Sequence, residues 1–317
     1  MVGFDPNQQR KLTPFDHAAA GAVSGVITRS VAQPLDVLKI RFQLQVEPLK
    51  FGTGSKYTGV AQAVGKIYQE EGLFALWKGH VAAQGLSVIF GISQFVSFEF
   101  LTKNTYYLLP ENLTQPLYKP VYHFFCGGIA GCVSTCVSQP IDVLRTRLVS
   151  QGEPKVYTGI RHAVGMMYQE AGVRTFYKGL TPTLIQLFPY NGLQFGFYSF
   201  FKTLWKPVMS KKNEIGAIGS GICGSGAGLC SKIIIYPLDL IKKRLQVIGF
   251  EEARKSFGSP PQGSNFYHCI CSIVKREGFL GFYKGLSPSL LKAVVTAGLT
   301  FSVYEQTCAI LLYRHSS

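Results

Sequence analysis

The sequence predicts an all-α membrane protein with six transmembrane helices, arranged as three tandem copies of a two-helix unit. Three observations carry that prediction: long uncharged apolar stretches, basic residues gathered between alternate pairs of those stretches, and one proline-acid-base block that occurs three times.

Charged residues make up only 15% of the 317, against about 25% in soluble domains. The deficit is concentrated. Residues 81–98 and 179–201 carry no charge at all, and similar, charge-interrupted stretches lie near 15–38, 121–141, 215–238 and 285–312. A helix of about 20 uncharged residues crosses the ~30 Å hydrocarbon layer.

The net charge is +15. Nucleic-acid binding is one reading of such an excess, but position argues against it. Lys39, Arg41, Lys50, Lys56, Lys66 and Lys78 lie between the first two apolar segments. Arg145, Arg147, Lys155, Arg161, Arg174 and Lys178 lie between the third and fourth. Lys242, Lys243, Arg244, Arg254, Lys255, Lys275, Arg276 and Lys284 lie between the fifth and sixth. These groups hold twenty of the 32 basic residues, all on one side of a membrane. That is the positive-inside asymmetry, and it suits anionic lipid headgroups such as those of cardiolipin.

The eight cysteines show no metal or disulfide framework. The six histidines, 17, 80, 123, 162, 268 and 315, are too scattered to suggest a catalytic cluster. No enzyme activity, cofactor or metal is expected. Asn112-Leu113-Thr114 fits a glycosylation sequon, which matters only in a secreted context. The N-terminus has no apolar signal core and carries Asp5 and Asp16, so any targeting information is expected to be internal.

The repeats read PLDVLKIRFQ from Pro34, PIDVLRTRLV from Pro140 and PLDLIKKRLQ from Pro237. A second block follows each: EGLFALWKG, AGVRTFYKG and EGFLGFYKG, ending at Gly79, Gly179 and Gly285. The implied divisions are an N-terminal segment 1–14 and repeats at 15–108, 117–209 and 214–313. The repeats also decide how to read GSGICGSGAGLCSK (219–232), whose Gly-x-Gly-x-x-Gly spacing could cradle a pyrophosphate. Gly224 and Gly228 precede Pro237 by the same intervals at which Gly127 and Gly131 precede Pro140 and Gly21 and Gly25 precede Pro34. A nucleotide loop would need a preceding strand and would not recur in register. The expectation is a small-residue face for close helix approach.

Each proline is followed by an acid and, three residues on, a base: Asp36 and Lys39, Asp142 and Arg145, Asp239 and Lys242. Residues three apart share a helical face, and charges at this depth are too costly to face lipid. Three such sets at one depth form a ring of alternating sign that draws the three odd-numbered helices together.

These blocks resemble the signature of the mitochondrial carrier family, Px[DE]xx[KR]x[KR] followed about 30 residues later by [DE]Gxxxx[FYW][KR]G. The resemblance spans almost the whole chain. Ala171 departs from it, where the other repeats have Glu71 and Glu277, and so does Val149, where they have Gln43 and Gln246. The resemblance implies a pseudo-threefold six-helix barrel with short matrix helices near 59–69, 159–169 and 267–276. It also implies an inner-mitochondrial-membrane location with both termini toward the intermembrane space, and a functional monomer. Its matrix gate would pair Lys39 with Asp142, Arg145 with Asp239, and Lys242 with Asp36, braced by Gln43 and Gln246 and unbraced in repeat 2. On the cytosolic side Glu99, Lys202 and Glu305 occupy ring positions beside Ser199, Thr102 and Cys308. Only Lys202 with Glu305 can then form an ion pair, so the unliganded carrier is expected to rest open to the cytosol.

The register also places the cavity. Leu86, Gln186 and Lys292 fall at the family's substrate-contact positions. Arg29, Thr135 and Lys232, five residues before each proline, face the same lumen. Arg29, Lys232 and Lys292 have no acid nearby on their own helices, and uncompensated cations at membrane depth read as functional. Gln94, Gln186, Leu187, Phe188, Tyr190, Asn191 and Gln194 complete the expected lining, with Phe188 and Tyr190 equally readable as lipid-facing. Arginine grips phosphate bidentately, amides read ring edges, and aromatic faces stack on them. A diphosphate tail with a flat heteroaromatic head fits: thiamine pyrophosphate, a nucleotide or coenzyme A, exchanged for a counter-substrate.

Overall fold

The computed structural model describes residues 13–47, 55–108, 119–153, 155–205, 217–250 and 265–314. Most of the expected N-terminal segment, the sequon, and the loop cations Lys50, Arg254 and Lys255 lie outside them. Every regular element among the described residues is helical.

Six long helices match the six apolar stretches: α1 (Pro14–Leu44), α3 (His80–Leu108), α4 (Lys119–Ser150), α6 (Leu180–Trp205), α7 (Ala217–Gln246) and α9 (Leu286–Arg314). Three short ones lie between pairs: α2 (Val60–Glu71), α5 (Ile160–Ala171) and α8 (Phe266–Glu277). The short helices agree with expectation to within two residues at each end. Among the described residues, four helices are long and apolar enough by composition to span a membrane; α1 and α6 are the two below that threshold. The long helices present bare hydrocarbon outward, with Phe95 of α3 78% and Phe195 of α6 68% exposed, which only a lipid solvent tolerates on this scale.

α3 packs along α4, α6 along α7, and α9 returns to α1, closing the barrel. Ser24 Oγ donates to the Thr300 carbonyl at 2.8 Å across that last seam. α1 starts on a capping box in which Thr13 and Asp16 satisfy each other's backbone amides. The 219–232 glycine stretch lies within α7, so it is helical and not a loop.

The packed small-residue face is offset from the glycines. A β-carbon on Gly21, Gly224 or Gly228 would meet nothing within 4 Å; Gly127 alone comes near a neighbouring aromatic ring and Gly131 near Gln94. Gly131 is buried, but the residues buried at the equivalent place in all three repeats are Ala20 and Ser24, Ala130 and Ser134, Ala227 and Ser231. Each is one or three residues from its glycine, turned toward the neighbouring helix by the 100° step. Spacing predicted the periodicity of the face but missed its rotation.

Each short helix lies against the segment that follows the proline in α1, α4 or α7, through an i, i+4 apolar pair: Ala63 and Ile67, Ala163 and Met167, Cys269 and Ile273. The chain then makes a 3-10 turn and enters the next long helix through a glycine with positive φ: Gly79 (74°), Gly179 (76°) and Gly285 (82°). The need for glycine there is double. A β-carbon on Gly179 would stand 2.9 Å from the Lys242 carbonyl oxygen, and one on Gly285 2.9 Å from that of Lys39. Gly179→Ala is therefore expected to lower stability by about 2 kcal/mol or more, read as a drop in the Tm of the solubilised protein. Gly65→Ala, within α2 and facing open space, should cost nothing. Equal behaviour of the two variants would refute the packing argument.

Candidate functional site

The polar residue preceding each repeat proline anchors the floor of the barrel. Gln33 Nε2 donates to the Lys78 carbonyl at 2.9 Å, Gln139 Nε2 to that of Lys178 at 2.9 Å, and Tyr236 Oη to that of Lys284 at 2.8 Å. Sequence reasoning missed these tethers, although a polar side chain before every repeat proline was a visible signal.

Just beyond lies the charge ring. Lys39 pairs with Asp239 at 2.5 Å, Arg145 with Asp36 at 2.7 Å, and Lys242 with Asp142 at 2.9 Å. All three pairs join different repeats, but in the opposite sense to the one expected. The base lies about 60° to one side of its acid on a right-handed helix. Which neighbour stands on that side depends on the direction in which the repeats wind around the axis, and spacing does not encode that. Gln246 braces the ring, donating to Asp142 at 2.8 Å and accepting from Thr146 at 2.7 Å. Gln43 is fully buried near Tyr236. Val149 instead joins an apolar plug with Val37, Ile40, Leu44 and Val247. Lys243 adds a second cation to Asp142 at 2.9 Å and also meets Thr146 and Gln246 at 3.0 Å.

A second set of ion pairs secures the same end. Arg41 binds Glu71 through both guanidinium arms at 2.5 and 2.8 Å, with Lys78 on the same carboxylate at 2.5 Å. Arg244 and Lys284 hold Glu277 likewise. Repeat 2 has Ala171 at this position, and Glu170 from the preceding position replaces the missing acid, bonding Arg147 at 2.5 Å and Lys178 at 2.6 Å. The spare guanidinium hydrogens cap the end of the next proline-bearing helix among α1, α4 and α7. Arg41 donates to the Val149 carbonyl, Arg147 to those of Gln246 and Ile248, and Arg244 to those of Gln43 and Gln45, satisfying terminal carbonyls that a helix leaves unpaired.

Burial alone would raise the Glu71 carboxyl, but the hydrogen bonds and charge of Arg41 and then Lys78 bring it below its ordinary value of 4.5. Glu170 is lowered in the same way by Arg147 and Lys178. Depressed carboxyls stabilise the fold above the unfolded value and lose that contribution as pH falls through the folded one. Tm should therefore hold from pH 7 to near 5 and fall below about pH 4.5. Glu71→Gln should flatten that fall, and an unaltered pH profile would count against the pairing.

Above the ring three adjoining pockets open toward the other mouth. One of about 360 Å³ includes Arg29, Leu86, Thr135, Thr183, Gln186 and Lys242. One of about 220 Å³ between α6 and α7 is lined by Gln186, Leu187, Tyr190, Lys232, Tyr236 and Asp239 among others. One of about 490 Å³ against α9 includes Lys232, Lys292 and Thr296. Gln186 and Leu187 join the first two, and Lys232 joins the second and third. The three cations expected in the lumen are all there, but not all uncompensated. Lys292 pairs with Asp36 of α1 at 2.6 Å, an acid that inspection of its own helix could not supply. Lys232 donates to the Ser289 carbonyl at 3.2 Å, and Arg29 has a 3.5 Å contact with Gln84.

Gln94, Asn191, Phe188 and Gln194 are not among the lining of these pockets. Gln94 turns toward Gly131 of α4, Phe188 lies on Gly128, and Asn191 is exposed. At the open mouth Glu99, Lys202 and Glu305 are exposed. Among the described residues the expected Lys202–Glu305 pair is not formed, while the ring at the far end is closed.

The family model "Mitochondrial carrier protein" matches residues 10–107, 117–208 and 213–315. The chain belongs to the mitochondrial carrier family. It is similar to the mitochondrial thiamine pyrophosphate carrier of Homo sapiens, 51% identical with 98% of this chain and 97% of the relative covered. It is 49% identical to the carrier of the same name from Bos taurus, over 97% and 96%. The mitochondrial thiamine diphosphate carrier 1 of Zea mays is 39% identical over 96% and 95%.

Proposed function

We propose that this chain carries thiamine pyrophosphate across the mitochondrial inner membrane by alternating access, in exchange for a nucleotide or thiamine monophosphate. The observation that carries the reading is near-full-length identity of about half to carriers named for that substrate, with lower-identity plant relatives named for the same one. The cavity is chemically consistent with it. Arg29, Lys232 and Lys292 bind the diphosphate, and Leu86, Thr135, Gln186, Leu187 and Tyr190 surround the organic part. Gln94 and Asn191 act only after the helices rearrange.

The charge ring of Asp36, Lys39, Asp142, Arg145, Asp239 and Lys242, with Gln43 and Gln246, is the matrix gate. Glu99, Lys202 and Glu305 form the weaker cytosolic gate. This arrangement is the cytosol-open state, with the basic ends of α1, α4 and α7 in the matrix and both termini in the intermembrane space. The carrier works as a monomer among anionic lipids such as cardiolipin. Substrate binding offsets the breakage of the ring because the occluded form holds substrate more tightly.

Proteoliposome uptake tests the reading. Labelled thiamine pyrophosphate should enter and be accelerated by internal counter-substrate. Entry of only nucleotides or coenzyme A would replace the substrate while leaving the family assignment intact.

A further inference from the structure

The three ring carboxylates are unequally held. Asp142 has Lys242, Lys243 and Gln246. Asp36 has Arg145 and Lys292. Asp239 is hydrogen-bonded by Lys39 alone among the described residues, and its side chain is the most exposed of the three, 22% against 13% and 9%. Asp239 also lines the pocket between α6 and α7. Here the threefold pattern breaks a second time, because the tether before the proline is Tyr236 where the other repeats use Gln33 and Gln139. Glutamine makes that tether in the other two repeats; here the aromatic ring adds a buried platform, stacked on Tyr283 with centroids 6.3 Å apart. Its face already attracts a cation: Lys39 Nζ lies 5.9 Å from the ring centroid. Tyr190 and Ile235 complete an apolar slot, while Lys232 is drawn toward α9 by the Ser289 carbonyl.

We propose that this pocket takes the cationic heteroaromatic ring of the substrate, and that the ring's positive charge replaces Lys39 at Asp239, so that opening of the closed end starts at the α1–α7 seam. The proposal rests on the thiamine pyrophosphate reading, since the thiazolium of that molecule supplies the cation. A carboxylate with a single hydrogen-bonding cation has the most room to receive a second, and an incoming cation offsets the cost of separating the first. An aromatic face beside it holds a delocalised cation well.

The test is binding to the purified full-length protein, followed by ligand-induced thermal stabilisation. Three probes are used: thiamine pyrophosphate, its thiophene analogue in which a carbon replaces the ring nitrogen and removes the charge, and inorganic pyrophosphate. Thiamine pyrophosphate should bind about tenfold more tightly than the neutral analogue. Tyr236→Gln keeps the tether that repeats 1 and 2 use. It should weaken thiamine pyrophosphate about fivefold or more and leave inorganic pyrophosphate unchanged. A neutral analogue that binds as tightly as the cation overturns the charge replacement. Undiminished thiamine pyrophosphate binding by Tyr236→Gln overturns the pocket assignment. Failure of thiamine pyrophosphate to stabilise even the wild-type protein, with a nucleotide succeeding, would instead refute the substrate reading.

Discussion

Replacing Arg29 by alanine will reduce thiamine pyrophosphate uptake about a hundredfold or more. The guanidinium lines the pocket of about 360 Å³ beside Thr135 and Thr183, and among the described residues its long contact to Gln84 leaves its other hydrogens available to phosphate. Charge-assisted bonds to phosphate contribute about 1.5–3 kcal/mol each, and two of them account for that factor. Lys292→Ala should act in the same direction for a different reason. It removes a lumen cation but leaves Asp36 paired with Arg145, so the ring stays closed and the defect is one of binding. Both variants should keep the wild-type Tm without ligand and lose the stabilisation that ligand brings. Uptake at the wild-type rate in both would end the case for these two residues.

The largest stability effect should come from Glu277→Gln. Arg244 and Lys284 are 2% and 7% exposed, and both rely on this carboxylate. Removing one partner of a buried ion pair costs about 3–5 kcal/mol, enough to lower Tm by several degrees or to prevent accumulation. Glu170→Gln should cost visibly less. Glu170 is 24% exposed, so water can solvate part of what Arg147 and Lys178 lose. The ranking of the two variants is the measurement. Equal losses would mean that burial does not set the cost.

Most of the architecture was legible because it is periodic. Six apolar stretches became six long helices, the triplicate block placed the ring carboxylates with Arg29 and Lys232, and the family resemblance supplied the short helices and Lys292. What escaped was information that belongs to pairs of segments. Ring sense depends on the direction in which the repeats wind, so Lys39 meets Asp239 where Asp142 was expected. Lys292 is neutralised by Asp36 of α1, the helix packed beside its own α9 but far away in sequence. Ala171 stands where the other repeats have an acid, and Glu170, one residue earlier on α5, makes the equivalent contact with Arg147. The glycine face was displaced onto Ala130 and Ser134 and their equivalents because a repeat fixes spacing along a helix but not rotation about its axis.

The guanidinium caps and the ring pairs run around the axis in opposite senses. Arg41, Arg147 and Arg244 each reach forward to the following repeat, while Lys39, Arg145 and Lys242 each reach back to the preceding one. Two counter-wound hoops of this kind have no free end in the complete chain and free ends in any part of it. A fragment of two repeats would strand a ring base, a ring acid, an arginine and a set of helix-end carbonyls at once. During synthesis the first two thirds of the molecule must therefore wait, incompletely satisfied, until the last helical pair arrives and fastens both hoops in a single event.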